Sequence, residues 1–420
     1  MKTRAGTLVA LVTMTMVIAA CSTPSSSPSA AGSTAASAAA SAAASAGGSA
    51  ITVDSFDASF SAMEQLKSVY TAGSGLVGVI LPDTTTSARY TSYDLPYLTQ
   101  AFQAAGYSAS DFKIENAAGT TTTELALAQA DISNGASVLL VDPLDSQTGK
   151  QIQAAAAAAG VPMISYDRAT FQGTNTYYVS FDNVQVGKLI GDGFKQCVTD
   201  WAVTSPKVFT VDGGQDVDPN AIDFAKGYNN SVWGQAVAQV AAGATNAEGM
   251  TLVGEQLAPG WNNDQGGNIF QQALTAHPEI NATIEANDGL AGAVITKLKG
   301  AGIPAKKVPT VGQDATLQGM EYTLQGFQCG SVYKPIYLEA QAAVALATFL
   351  RASQTPPSGL VNGTTTDPAD ASATQPAVLL TPYWVNEKNM NDTVIKDNFV
   401  AKADLCAAVG ADVCTAAGIQ

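Results

Sequence analysis

From Gly75 onward, short apolar runs alternate with amphipathic segments, and that alternation leaves few folds open. Strand-like runs fall at 76–81, 112–115, 138–141, 163–166 and 177–180. Helix-like segments at 95–106, 123–134 and through the alanine run 154–159 lie between them. The pattern then starts afresh, with helices at 184–197, 221–235, 265–276 and 290–301 and strands at 208–211, 251–255, 283–285 and 308–312. Strands separated by helices of this length form right-handed βαβ units with helices on both faces of a parallel sheet. Two successive runs predict two doubly wound, Rossmann-like α/β lobes. A strong helix at 336–351 and a Pro-, Gly- and Thr-rich surface excursion at 353–375 follow. The last strand-like stretch, 378–381, is expected to return to the second lobe.

Three of the apolar runs stop abruptly at a polar cluster. Met163-Ile164-Ser165-Tyr166 meets Asp167-Arg168, Ala282 to Ala286 meets Asn287-Asp288, and Val308 to Gly312 meets Gln313-Asp314. In open α/β sheets ligands bind just beyond the carboxyl ends of the strands. Carboxylates, amides and guanidinium groups are planar forks that can bond two neighbouring hydroxyls at once. Each cluster alone has a plainer use, since Asp or Asn after a strand often caps the next helix. Only their convergence on one crevice would suit a small polyhydroxylated ligand.

Other motifs are weaker. Gly73-Ser74-Gly75-Leu76-Val77-Gly78 has dinucleotide-fingerprint spacing but enters a strand instead of leaving one, so it reads as a linker turn. Asp212 to Asn220 has the spacing of a partial calcium loop without its glycine and distal Glu. Asp218 then caps the following helix and puts Asn220 in its first turn. Trp261 sits beside Gly260 and Pro259 in a loop, where its flat apolar face could pack in the core or on the C–H face of a sugar ring.

The first residues read as a targeting segment. Lys2 and Arg4 precede a short apolar core, Leu8 to Ile18, and small residues at Ala19-Ala20. Ile18-Ala19-Ala20-Cys21 resembles a bacterial lipoprotein signal, with Cys21 as the lipidated N-terminus; the alternative is an ordinary secretory signal. Residues 1–20 are thus the signal peptide and 21–50 a Ser/Ala-rich tether, too poor in apolar surface to order itself. Removing Lys2 and Arg4 leaves 18 basic residues against 35 acidic, a net charge of −17. That balance argues against nucleic acid and against an electrostatic hold on anionic membrane.

Four cysteines remain and allow three pairings. Cys406 and Cys414 close a short loop, so Cys406–Cys414 with Cys197–Cys329 is expected; four free thiols are the alternative. With His277 the only histidine and no CxxC, neither a zinc site nor a His-based triad is expected.

Taken in order, the clusters resemble the D-xylose-binding proteins of bacterial ABC sugar importers, a branch of the ribose-binding-like type I substrate-binding proteins. The resembling segments are Ser165-Tyr166-Asp167-Arg168, Val179 to Asn183, Val217-Asp218-Pro219-Asn220, Ala286-Asn287-Asp288, Gly312 to Ala315 and Val332-Tyr333-Lys334-Pro335-Ile336. Leu379 to Pro382 and Asn391 to Asp397 continue the likeness. It implies two lobes joined by three crossings, placed near Ser180, Lys334–Pro335 and Gln375–Val378. The N-terminal lobe would be 75–180 plus 335–375, the C-terminal lobe 181–334 plus 376–400, and 401–420 a tail.

The resemblance puts sugar contacts on Arg89, Asp167, Arg168, Asn220, Trp261, Asn287, Asp314 and Lys334, with Asp218 and Tyr90 beside them. The family often has tryptophan where Tyr90 stands. It also implies a monomer without cofactor, a monosaccharide ligand (xylose before glucose, ribose or arabinose), a permease partner and an extracytoplasmic location; the tether, the four mature cysteines and the Cys406–Cys414 tail depart from the soluble periplasmic members and suit a lipid-anchored form. The same fold serves sugar sensing. A secreted glycosidase using two of Asp167, Asp288 and Asp314 is the enzyme alternative, but an arginine beside Asp167 favours its ionised form, which suits hydroxyl binding better than proton donation.

Overall fold

The computed structural model describes residues 51–171 and 176–419. The signal, the tether and Cys21 lie outside the described residues.

Five strands come first: β1 (Leu76–Leu81), β2 (Phe112–Asn116), β3 (Ala136–Val141), β4 (Met163–Tyr166) and β5 (Thr176–Phe181). Then follow β6 (Lys207–Asp212), β7 (Thr251–Leu257), β8 (Ala282–Glu285), β9 (Gly312–Gln313) and β10 (Ser331–Tyr333). The last are β11 (Gly363–Asp367), β12 (Asp370–Leu380) and β13 (Tyr383–Val385). One sheet runs β11-β12-β5-β4-β3-β1-β2, and the others run β7-β6-β8 and β13-β10-β9. The two three-stranded ladders adjoin where the Thr283 N–H donates to the Pro309 carbonyl at 2.9 Å. Every pairing in the first sheet is parallel except the β11–β12 hairpin. Such strands are covered on both faces, which is why β3 reads Ala-Ser-Val-Leu-Leu-Val without alternation.

The fold is a mixed α/β pair of doubly wound lobes joined by three crossings. The chain leaves the first sheet after β5, and helix Asn183–Asp200 packs on helix Pro219–Trp233 in the second lobe. Two glycines permit that approach: a Cβ on Gly187 would lie 2.0 Å from the Phe224 carbonyl oxygen, and one on Gly227 2.3 Å from that of Val184. The chain returns at Lys334–Pro335, between β10 and helix Ile336–Arg351, and crosses a third time at Thr381–Pro382, between β12 and β13.

That last crossing corrects two expectations. Ala377–Leu380 pairs in parallel with Tyr178–Phe181, so the final strand belongs to the first sheet, and the crossing falls after it instead of at Gln375–Val378. The turn-rich stretch is not simply an excursion, because its second half forms the β11–β12 hairpin that covers the edge of β5. Val378 and Leu380 bury their side chains under that sheet, and this burial fixes where they pair. The tail is two short helices, Lys402–Val409 and Ala411–Ala416, joined by a Cys406–Cys414 disulfide; Cys197 is bonded to Cys329.

Candidate functional site

The polar clusters that end the strands meet in one cavity between the lobes. Arg89, Tyr90, Asp167 and Arg168 line it from the first lobe, and Asp218, Asn220, Trp261, Asn287 and Asp314 from the second, with Lys334 at the second crossing. All ten side chains are buried. Capping and cavity lining turn out to be the same act at two of them. The Asn287 Oδ1 accepts from the Leu290 N–H at 2.8 Å and the Asp218 Oδ1 from the Asn220 N–H at 2.9 Å, each starting a helix.

The ten do not all face a ligand in the same way. Arg89 is largely consumed by protein carboxylates. Its Nε and Nη2 donate to the two Asp94 oxygens at 2.9 Å, Nη2 also to Glu339 at 2.7 Å, and Nη1 to Asp167 at 2.5 Å. The last of these bonds ties it to Asp167 at the cavity wall. Tyr90 is tied likewise: its hydroxyl accepts from Arg168 Nη2 at 2.9 Å. Asn220 joins the lobes, its Nδ2 donating to the Asp167 carbonyl at 2.7 Å while its Oδ1 accepts from the Tyr178 hydroxyl at 3.1 Å. Trp261 donates its indole N–H to Asp218 at 3.1 Å. Gly213 and Gly214 leave room for its ring, since a Cβ at either would fall 2.2 and 2.7 Å from indole atoms.

Asp314 and Lys334 form the far wall, 2.9 Å apart. Burial disfavours the Lys334 ammonium, but Asp314 and Asp167 outweigh it and raise its pKa. At Asp167 burial favours the neutral acid, and Arg89, Lys334 and Arg168 together hold the carboxyl below its ordinary range. Asp218 goes the other way: burial pushes it up to about 6, with Asp167 adding to the shift and Arg168 opposing it. The site thus offers carboxyl acceptors at Asp167 and Asp314 beside cationic donors at Arg168 and Lys334.

Asp167, Trp261 and Asp314 all have left-handed backbones, with φ of 57°, 60° and 91°. Such conformations are costly for side chains of this size and persist where surroundings enforce them, often at ligand sites.

Thr86, Ser87, Phe224 and Gln313 also line the cavity and were not among the expected residues. Gln313 stood in view beside Asp314, and its Oε1 is buried without a hydrogen-bond partner. Phe224 lies one helical turn beyond Asn220, a spacing that would have placed it on the same face. Asp288 does not line the cavity; its carboxylate is fully hydrogen-bonded below it.

Two doubly wound lobes closing over a buried polar cavity define a type I periplasmic binding protein. The chain belongs to the periplasmic binding protein domain family, which it matches over residues 77–354. It is 31% identical over 295 residues to the D-xylose-binding periplasmic protein of Escherichia coli, covering 70% of this chain and 82% of that protein. It is 26% identical over 331 residues to the multiple sugar-binding periplasmic protein of Azospirillum brasilense, covering 78% and 90%. An ABC transporter solute binding protein from Clostridium phytofermentans, solved with bound β-D-glucose, has the same fold at a TM-score of 0.67 and 21% identity, covering 79% of this chain and 99% of that one.

Proposed function

We propose that this chain captures a monosaccharide between its lobes outside the cytoplasm and delivers it to an ABC importer permease, with D-xylose the first ligand and glucose, ribose and arabinose behind it. The observation that carries this is the convergence of forked polar groups from both lobes on one buried cavity: Asp167 and Arg168 on one side, Asn287 and Asp314 on the other. Carboxylates accept two hydroxyl protons at once, and Arg168, Lys334 and the Asn287 amide donate to ring or hydroxyl oxygens. Trp261 supplies an apolar surface. What the relatives are named for supports a sugar: one is a D-xylose-binding protein and another a multiple sugar-binding protein.

Titration calorimetry against the four sugars tests this reading. Micromolar binding of at least one, with a smaller radius of gyration by small-angle scattering on saturation, is expected from hinge closure. No binding by any of the four would sink it.

Cys21 is proposed as the lipid anchor on its sequence context alone. Mass spectrometry of the mature chain should find an acylated Cys21 at its N-terminus; an unmodified cysteine there, or another cleavage point, overturns the anchor. One acyl chain binds membrane only marginally, so more than one is expected.

A further inference from the structure

Asp314 and Ala315 are consecutive left-handed residues, at φ 91° and 47°, and neither is glycine. Something must hold the backbone there, because a chain relaxes out of this region when it can. The Asp314 N–H donates to the Val332 carbonyl at 2.8 Å, which fixes the residue on one side only. The other side depends on a carboxylate outside the cavity.

Asp288 is the first residue of helix Asp288–Gly300. Its Oδ2 accepts from the Thr316 N–H at 2.8 Å and from the Thr316 hydroxyl at 3.0 Å. Its Oδ1 accepts from the Ser331 hydroxyl at 2.7 Å and from the Gln328 amide at 2.8 Å. The Ser331 oxygen in turn accepts from the Ala315 N–H at 3.0 Å. One carboxylate therefore holds both amides that follow Asp314, one directly and one through Ser331. Space is kept for it by two glycines: a Cβ on Gly312 or Gly319 would lie 2.3 or 2.2 Å from its oxygens.

We propose that Asp288 is a positioning residue for ligand binding, which acts by fixing the Asp314–Thr316 turn so that the Asp314 carboxylate faces the cavity beside Lys334. This rests on the sugar-binding reading. With Asn287 capping the same helix and lining the cavity, the dipeptide Asn287-Asp288 builds two walls of one site: the first residue by its own side chain, the second through its neighbour's backbone. Asparagine in place of Asp288 keeps the shape, but its amide has only one acceptor oxygen where Thr316 and Ser331 need two.

The test is a double-mutant cycle read by calorimetry, using D-xylose or whichever of the four sugars binds wild type. Asp288→Asn should weaken binding by about tenfold or more and Ser331→Ala by a few-fold, because each change leaves a buried donor of the turn without its acceptor. In an Asp314→Ala background each should cost less than about twofold more, whereas in a Trp261→Ala background each keeps its full effect. Full additivity with Asp314→Ala, or no effect of either change on wild type, overturns the assignment. Should Asp288→Asn lose its melting transition, Ser331→Ala carries the same cycle. Amide exchange supplies a readout free of sugar: the Ala315 and Thr316 amides should exchange at least about tenfold faster in Asp288→Asn. Retained protection overturns the positioning role, while absence of any sugar binding by wild type overturns only the ligand.

Discussion

Asp314 is the residue on which the site's electrostatics turn, because it is buried, lies 2.9 Å from Lys334 and stands 3.4 Å from the Ser87 hydroxyl of the opposite lobe. A buried hydrogen bond to a charged group contributes roughly 1.5–3 kcal/mol, so Asp314→Ala should weaken sugar binding at least about tenfold. Part of that loss is the Lys334 ammonium left without its partner. Calorimetry on the variant checks it, and wild-type affinity would remove Asp314 from the site. At this scale the sequence was legible in a particular way. A polar cluster after a strand announces a cap or a ligand contact, and Asn287 and Asp218 are both placed as such. What it could not show is where long side chains go. Arg89 meets Glu339 across 250 positions of chain, and no local pattern announces a carboxylate partner so distant in sequence.

Strands β1 and β3 to β6 were legible as elements because buried parallel strands leave unbroken apolar runs. β9 shows the limit. The apolar run 308–312 predicted a full strand, but only Gly312–Gln313 pairs in the ladder with β10. The Val311 N–H donates instead to Glu285 Oε2 at 3.0 Å, so a side chain interrupts the ladder between β8 and β9. Glu285 is fully buried, and burial pushes its pKa up to about 8, against hydrogen bonds from Thr283 and Val311 that lower it. The folded carboxyl thus keeps its proton up to about pH 8, whereas the unfolded one loses it near the ordinary value of 4.5. Between those limits the folded state binds the extra proton, so its contribution to stability falls as pH rises across the window and levels off above it. Glu285→Gln, neutral at every pH, should lose less melting temperature than wild type between about pH 5 and pH 8.5. Parallel slopes in thermal melts would show that Glu285 does not titrate there. The misplaced third crossing has a related cause: Pro, Gly and Thr mark a break in regular structure equally well whether the chain then changes lobe or turns back as a hairpin.

For the molecule as a whole, the two-lobe plan was readable from the restart of the strand–helix alternation, while the way the lobes meet was not. Their contact is made partly of bonds from protein to protein. The Ser146 N–H and hydroxyl reach the Val217 carbonyl at 2.9 and 3.1 Å, and Asn220 and Tyr178 tie the lobes again beside Asp167. None of these bonds needs a sugar, so the chain by itself stabilises part of the closed outline. A closed form with its own stabilisation is populated to some extent before cargo arrives, and the fraction still open scales the apparent affinity. Under the importer reading this sets a traffic problem. Shut molecules without cargo would occupy the same docking places as loaded ones, so bonds that slow escape of a captured sugar also limit flux once carriers outnumber transport sites.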